Sequence, residues 1–369
     1  MKSWLSLLCV FILAISTAYG QEKKATGVSD QQEYRQMVDK AVEYLRVRGQ
    51  KTDGSFSSEA GVGPTGLVTA ALIDVGVSVD DPIIQKSLAY LQKHIQDDGG
   101  IYVKESLHRN YDTCISLMAF HKANKNGKFK SVIENANKFV RGIQWDESES
   151  IDASNMSYGG AGYGKQSRPD LSNTSFLVDT LHSLGASSDD EAIKKALLFV
   201  SRCQNLESPH NDSPHAAKIN DGGFYYTVAG EGETKVEGPT EGGLRSYGSM
   251  TYAGLKSMIY AGVDKEDPRV KAAVKFLQQN YDIESNPGVG QQGLFYYYQT
   301  MAKALNAIGS ETFKDAKGKD HAWKKELLTK LKSLQQPDGS WINPTPRWME
   351  GDPNLVCAYV LLTLAQIKP

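Results

Sequence analysis

Cysteine is scarce in this chain: four in 369 residues, at positions 9, 114, 203 and 357, with no two spaced as a CxxC pair. That pattern offers neither a disulfide framework nor a zinc ribbon. Cys114 and Cys357 fall inside apolar stretches and read as buried, unreacted thiols. Basic blocks are missing as well. Lys and Arg total 41 against 43 Asp and Glu, for a formal net charge of −2, and no cluster is dense enough to follow a phosphate backbone; nucleic acid is excluded as a partner. The only long apolar run is residues 4–15, which follows Lys2 and precedes Ala18-Tyr19-Gly20. It is short for a transmembrane helix and has the layout of a cleaved secretory signal. Residues 1–20 are therefore read as the signal, 21–30 as a flexible segment and 31–369 as one folded domain, secreted or periplasmic, with no transmembrane segment in the mature chain. Cleavage removes Lys2 and no acid, so the charge becomes −2 − 1 = −3.

What the chain has in abundance is repetition. Six times an aromatic or aliphatic pair closes one amphipathic segment: Tyr44-Leu45, Tyr90-Leu91, Phe139-Val140, Phe199-Val200, Phe276-Leu277 and Leu331 with Leu334. Each is followed by a turn and a second apolar block that opens on a small or hydroxyl residue, at 65–72, 113–120, 174–181, 251–258, 298–305 and 357–364. Such two-helix units are too small to bury their own faces and must stack on their neighbours. Six helical hairpins can close into a ring.

Local signals mark the ends of these segments. Asp81-Pro82 and Asp267-Pro268 place an acidic cap before a first-turn proline, and Asp189-Asp190-Glu191 does the same without one. All three follow a block ending in glycine, at 76, 185 and 262, so they are read as helix caps rather than catalytic carboxylates. Between the two helices of a unit a second signature recurs: Asp53-Gly54-Ser55-Phe56, Asp98-Gly99-Gly100-Ile101-Tyr102, Asp221-Gly222-Gly223-Phe224-Tyr225 and Asp338-Gly339-Ser340-Trp341. Glycine permits the tight turn, and the aromatic plugs the gap between hairpins. The third unit departs, with Tyr158-Gly159-Gly160 in its connection.

Residues 335–341, Gln-Gln-Pro-Asp-Gly-Ser-Trp, resemble the Q-W motif of terpenoid cyclases, and the weaker copies resemble the prenyltransferase and squalene-cyclase repeat. The resemblance covers about residues 31–367 and implies an all-α fold, an (α/α)6 toroid with an inner ring of six helices around a central cavity. It implies a ligand site in that cavity or at its mouth. The acid motif of the squalene-type cyclases, Asp-X-Asp-Asp, does not occur. Asp112-Thr113-Cys114 matches two zinc ligands of the prenyltransferases, but no histidine opens a later inner helix; no metal and no cofactor are expected. Asp112 is read as a helix cap.

Polar and aromatic residues crowd the starts of the second-helix blocks, which converge if the ring closes. The candidate ligand-binding residues are Arg109, Tyr111, Arg245, Tyr247, Tyr297, Arg347 and Trp348, and the candidate catalytic groups are His108, Asp112, Asp170 and Asp352. Deeper in the blocks, Asp179, Lys256 and Lys303 fall at equivalent depth and are expected to pair. The favoured reading is an exported cyclase-like or prenyltransferase-like toroid that binds an isoprenoid or other amphipathic small molecule, with or without transforming it. Beside it stand a polysaccharide lyase or glycosidase acting on a carbohydrate, and a non-catalytic binding or scaffold domain.

Overall fold

The computed structural model describes residues 29–164, 167–238 and 242–369. The proposed signal and most of the segment after it lie outside the described residues; the first helix begins at Asp30. Six outer helices alternate with six inner ones. The outer set is α1 (Asp30–Tyr44), α3 (Pro82–Gln92), α5 (Lys130–Arg141), α7 (Glu191–Arg202), α10 (Pro268–Gln279) and α12 (Trp323–Leu334). The inner set is α2 (Gly63–Asp74), α4 (Arg109–Ala123), α6 (Leu171–Ser183), α9 (Gly248–Tyr260), α11 (Leu294–Ala307) and α13 (Pro353–Gln366). A single extra turn, α8 (Ala216–Ile219), lies in the excursion before α9. A two-stranded hairpin, β1 (Phe313–Lys314) and β2 (Asp320–His321), which the repeat pattern does not announce, joins α11 to α12.

The inner helices pack in sequence, α2 on α4, α4 on α6, α6 on α9, α9 on α11 and α11 on α13, and α13 returns to α2. Outside them α12 meets α1. The ring is closed, an (α/α)6 toroid. α2 and α13 are apolar on nearly every face because both their sides are covered: in α13 every residue from Leu355 to Leu364 is buried.

The repeat signature has a physical cause. In each of four units a threonine hydroxyl near the start of the inner helix accepts the buried backbone N–H of a turn residue. The pairs are Thr65 with Phe56 at 2.9 Å, Thr113 with Ile101 at 2.9 Å, Thr174 with Ala161 at 2.9 Å and Thr251 with Phe224 at 3.0 Å. In the last unit Cys357 receives the Trp341 N–H in the same way. A buried N–H must find a partner, which explains why these blocks open on small polar residues. The turn glycines serve the next joint along. A Cβ on Gly54 would stand 2.3 Å from the Lys86 carbonyl of α3, and one on Gly222 2.6 Å from Ala272 of α10. Gly159 holds the same place in the third unit, against Lys195, so that unit departs in sequence and not in packing. Gly339 meets Lys40 of α1, so the last unit is joined to the first as the others are to their successors.

A glutamine at the end of the outer helix completes the joint. Gln50 donates to Gly54 O and Ile83 O, Gln144 to Gly159 O and Ala192 O, Gln204 to Gly222 O and Arg269 O, and Gln335 to Gly339 O and Met37 O. The acidic caps are where the sequence places them. Asp81, Asp190 and Asp267 accept first-turn N–H groups, and each also takes two hydrogen bonds from an arginine, Arg46, Arg141 and Arg269 respectively. The three cysteines among the described residues are free and buried.

Candidate functional site

The first turns of all six inner helices contribute to one cavity of about 360 Å³, through Pro64, Tyr111, Asn173, Met250, Tyr296 and Leu355. Its lining is dominated by aromatic rings. Tyr111 packs edge-on against Phe176 with centroids 5.3 Å apart, Phe176 against Tyr296 at 6.3 Å, and Tyr296 edge-on against Tyr359 at 5.8 Å. The Tyr359 hydroxyl returns to that of Tyr111. These four rings, from α4, α6, α11 and α13, close a loop across the toroid. Tyr163, Tyr226, Tyr247 and Trp348 form the walls above them. Burial pushes the phenols up, Tyr163 to about 12, so they act as neutral donors and acceptors.

Deeper along the inner helices, charged groups bridge three of them. Asp179 on α6 meets the Lys256 ammonium of α9 at 2.5 Å and the Lys303 ammonium of α11 at 2.9 Å. Asp179 and Lys256 are almost wholly buried. Desolvation lowers the Lys256 ammonium to about 8, against the pull of Asp179. The expected pairing is present, and it links α6, α9 and α11.

Of the residues singled out in the sequence, His108, Tyr111, Tyr247 and Trp348 line the cavity. The others stand apart from it. Arg109 turns away from the axis, its guanidinium over the Tyr102 ring at 5.1 Å and its Nε donating to Ser106 O, in a separate groove with Asp97, Asp98 and Lys138. Arg245 is tied to the carbonyl of Glu237 in the preceding excursion. Arg347 stacks on Trp348 at 4.8 Å and donates to Gln292, which keeps it on the rim. Tyr297 is fully buried, with its hydroxyl on Asp282 O. Its neighbour Tyr296 takes the cavity position, since adjacent residues on a helix point about 100° apart and only one of three consecutive tyrosines can face the axis.

The candidate carboxylates are occupied as caps. Asp112 does not cap its own helix: its Oδ1 accepts the Gly63 N–H at 2.9 Å, at the first turn of neighbouring α2. Gly61 and Gly63 permit this approach, since a Cβ on Gly63 would lie 2.8 Å from that oxygen. Burial lifts Asp112 to about 7, against the stabilising Gly63 N–H and Ser106 hydroxyl. Asp170 caps α6, accepting from Asn173 N at 2.9 Å, Ser172 Oγ at 2.7 Å and Asn173 Nδ2 at 2.7 Å. Burial raises it as well. Asp352 caps α13 through Asn354 N at 2.8 Å.

Sequence reasoning missed Glu350, the one carboxylate among the described cavity-lining residues. It is buried, accepts Tyr296 N at 2.8 Å and Asn343 Nδ2 at 2.7 Å, and is raised by desolvation. It also missed Phe176, Tyr226, Tyr359 and Asn173, which sit inside apolar or loop stretches with no local motif. Among the described residues no three His, Cys, Asp or Glu side chains converge as a metal site. Cys114 turns its sulfur toward Asn110 Oδ1, not toward a shared centre with Asp112.

No protein-family model and no curated protein matches the chain in sequence. Its likenesses are to solved structures. A GH76 α-mannanase of Bacteroides thetaiotaomicron is 12% identical at a TM-score of 0.55, over 91% of this chain and 96% of that one. A possible member of the GH105 family from Salmonella enterica is 8% identical at 0.53, over 96% and 98%. A type II terpene cyclase from Scytonema, 14% identical over 92% and 99%, aligns at only 0.34, too low to carry an argument. At these identities the likeness is one of fold alone, and the fold shared with the glycoside-hydrolase structures is the helical toroid.

Proposed function

We propose that this protein binds an isoprenoid or comparable amphipathic small molecule in the central cavity, its apolar body held among the aromatic rings and its polar end toward the walls or mouth. The observation that carries the reading is the loop of Tyr111, Phe176, Tyr296 and Tyr359 beneath a cavity of about 360 Å³. That volume lies in the range of small-molecule sites. Aromatic faces in a water-poor cup favour hydrocarbon and CH-rich surfaces, and the repeat resemblance to terpenoid cyclases points the same way. Export, proposed from residues 1–20, belongs to the same reading.

The glycosidase alternative is weaker on the geometry. It requires two carboxylates facing each other across a substrate, whereas Asp112, Asp170 and Asp352 serve helix starts and only Glu350 reaches the cavity. The test is mass spectrometry of molecules extracted from protein purified without detergent, repeated on Trp348→Ala. Retained isoprenoid or lipid, reduced in the variant, supports the proposal. A retained oligosaccharide shifts the assignment to the carbohydrate reading, and empty protein that also fails to take up added isoprenoid leaves the scaffold reading.

A further inference from the structure

One wall of the cavity carries a charge. Lys235 lines the cavity and keeps 19% of its side-chain surface accessible, so it is a wall group and not a core one. Its ammonium lies over the Tyr226 ring, 4.2 Å from the centroid, and Tyr226 lines the same cavity. The ring face holds the cation in place, while the Tyr226 hydroxyl donates to Asp170. Lys235 also donates to one oxygen of Glu233, and Arg168 donates to the other. Partial burial works against ionisation of Glu233, but the two cations hold it below the usual carboxylate range. An ammonium has three donors; among the described residues Glu233 takes one of them.

Two cations sharing one carboxylate leave one positive charge at this wall. The acids nearby do not offset it. Asp170, behind Tyr226, and Glu350, committed to Tyr296 N and Asn343 Nδ2, are buried, and burial disfavours the charged form of each. Arg347 and Glu237, 3.8 Å apart on the rim, balance each other. From this arrangement, and resting on the small-molecule reading above, we infer that the polar end of the ligand is a carboxylate, bound by the Lys235 ammonium at the cavity wall while the apolar body lies on the aromatic rings. The arriving carboxylate competes with Glu233 for the same cation. A diphosphate carries more charge than this wall balances.

The full chain, stripped of retained molecules, is titrated by calorimetry at neutral pH with geranic acid, geraniol and geranyl diphosphate. At low salt the acid should bind about tenfold more tightly than the alcohol, with the advantage shrinking as salt is raised, and the diphosphate should bind no better than the acid. Lys235→Gln should cut the acid's advantage to about twofold or less. Glu233→Gln, which removes the competing carboxylate, should enlarge it, and the affinity for geraniol should hold in both variants. A purely structural role for the pair of Glu233 and Lys235 would move acid and alcohol together. Equal binding of acid and alcohol by the unaltered protein, a preference that Lys235→Gln leaves intact or Glu233→Gln fails to enlarge, or a diphosphate that outbinds the acid overturns the inference and leaves the small-molecule reading standing. The comparison in the unaltered protein needs no variant, so poor folding of either variant does not blunt it. Binding of none of the three sinks the isoprenoid reading and this inference together.

Discussion

Asp112 shows what a single buried acid does to this protein. Its carboxyl is fully enclosed and lies at about 7 in the folded chain, against 3.8 for the free group. Between those values the folded state keeps a proton that the unfolded state has lost, so this residue's contribution falls as pH rises from about 4 to 7 and is constant above. Asp112→Asn keeps an acceptor for Gly63 N–H and removes the ionisation. Its stability relative to the unaltered protein should rise across that window by roughly 2–4 kcal/mol; parallel urea-melt curves at pH 4 and pH 7 would contradict this. Trp348 makes a second residue-scale case. It and Met349 are both held at positive φ, 56° and 64°, and Trp348 is 40% exposed over the cavity. A non-glycine residue there is strained by about 1–2 kcal/mol, so Trp348→Gly should leave the melting temperature unchanged or raised while ligand retention falls. Tyr247 differs: at 2% exposure it is part of the core, and Tyr247→Ala would cost about 3–5 kcal/mol by the usual aromatic truncation. The sequence shows these residues as near the mouth but not how deep they lie, because depth depends on helix phase. Tyr296 and Tyr297 differ by one position and face different surroundings.

The unit that repeats is less a helical hairpin than the joint between hairpins. Its parts are a glutamine, a turn glycine, a buried N–H and a hydroxyl, and each can be tested. Gly222 has φ 80° and no room for a Cβ beside the Ala272 carbonyl. Gly222→Ala should destabilise by about 1–3 kcal/mol from backbone strain alone, before the clash is counted. Thr251→Val, close in shape, leaves the Phe224 N–H buried without its partner and should cost roughly 1–3 kcal/mol in chemical denaturation. Caps and turns of this kind are legible in sequence because their partners lie within a few residues, as with Asp81 and Ile83. The role of Thr251 is not, because its partner is 27 residues away and only the closed fold brings the two together. The same separation hides Asp112, whose cap serves a helix 49 residues earlier. The hairpin at β1 and β2 is equally silent: its His321, between Glu326 and Asp315, carries no repeat signal.

At the scale of the molecule, closure follows from a joint that recurs around the ring and from Gly339 meeting α1 as the other turn glycines meet their successors, which is why the toroid is legible from the repeat. Inner helices start at the mouth, so the start of α1 and the end of α13 both lie at the opposite end. A circular permutant joining residue 369 to residue 29 through a short flexible linker, and opened at 124–128, should keep the fold and melt within a few degrees of the parent. An open solenoid would instead lose its new terminal unit first. The buried charges near that end are less dispensable. Asp179→Ala strands two ammonium groups and should cost about 3–5 kcal/mol by denaturant titration. The charged cluster also bears on traffic. The cavity lining reaches no deeper than Phe176 and Tyr359, and Asp179, Lys256 and Lys303 tie three inner helices together beyond it, so the site reads as a cup open at the mouth. A cup has one door: whatever enters must back out past Trp348, a guest occupying it bars the next, and residence is governed by how often the rim yields.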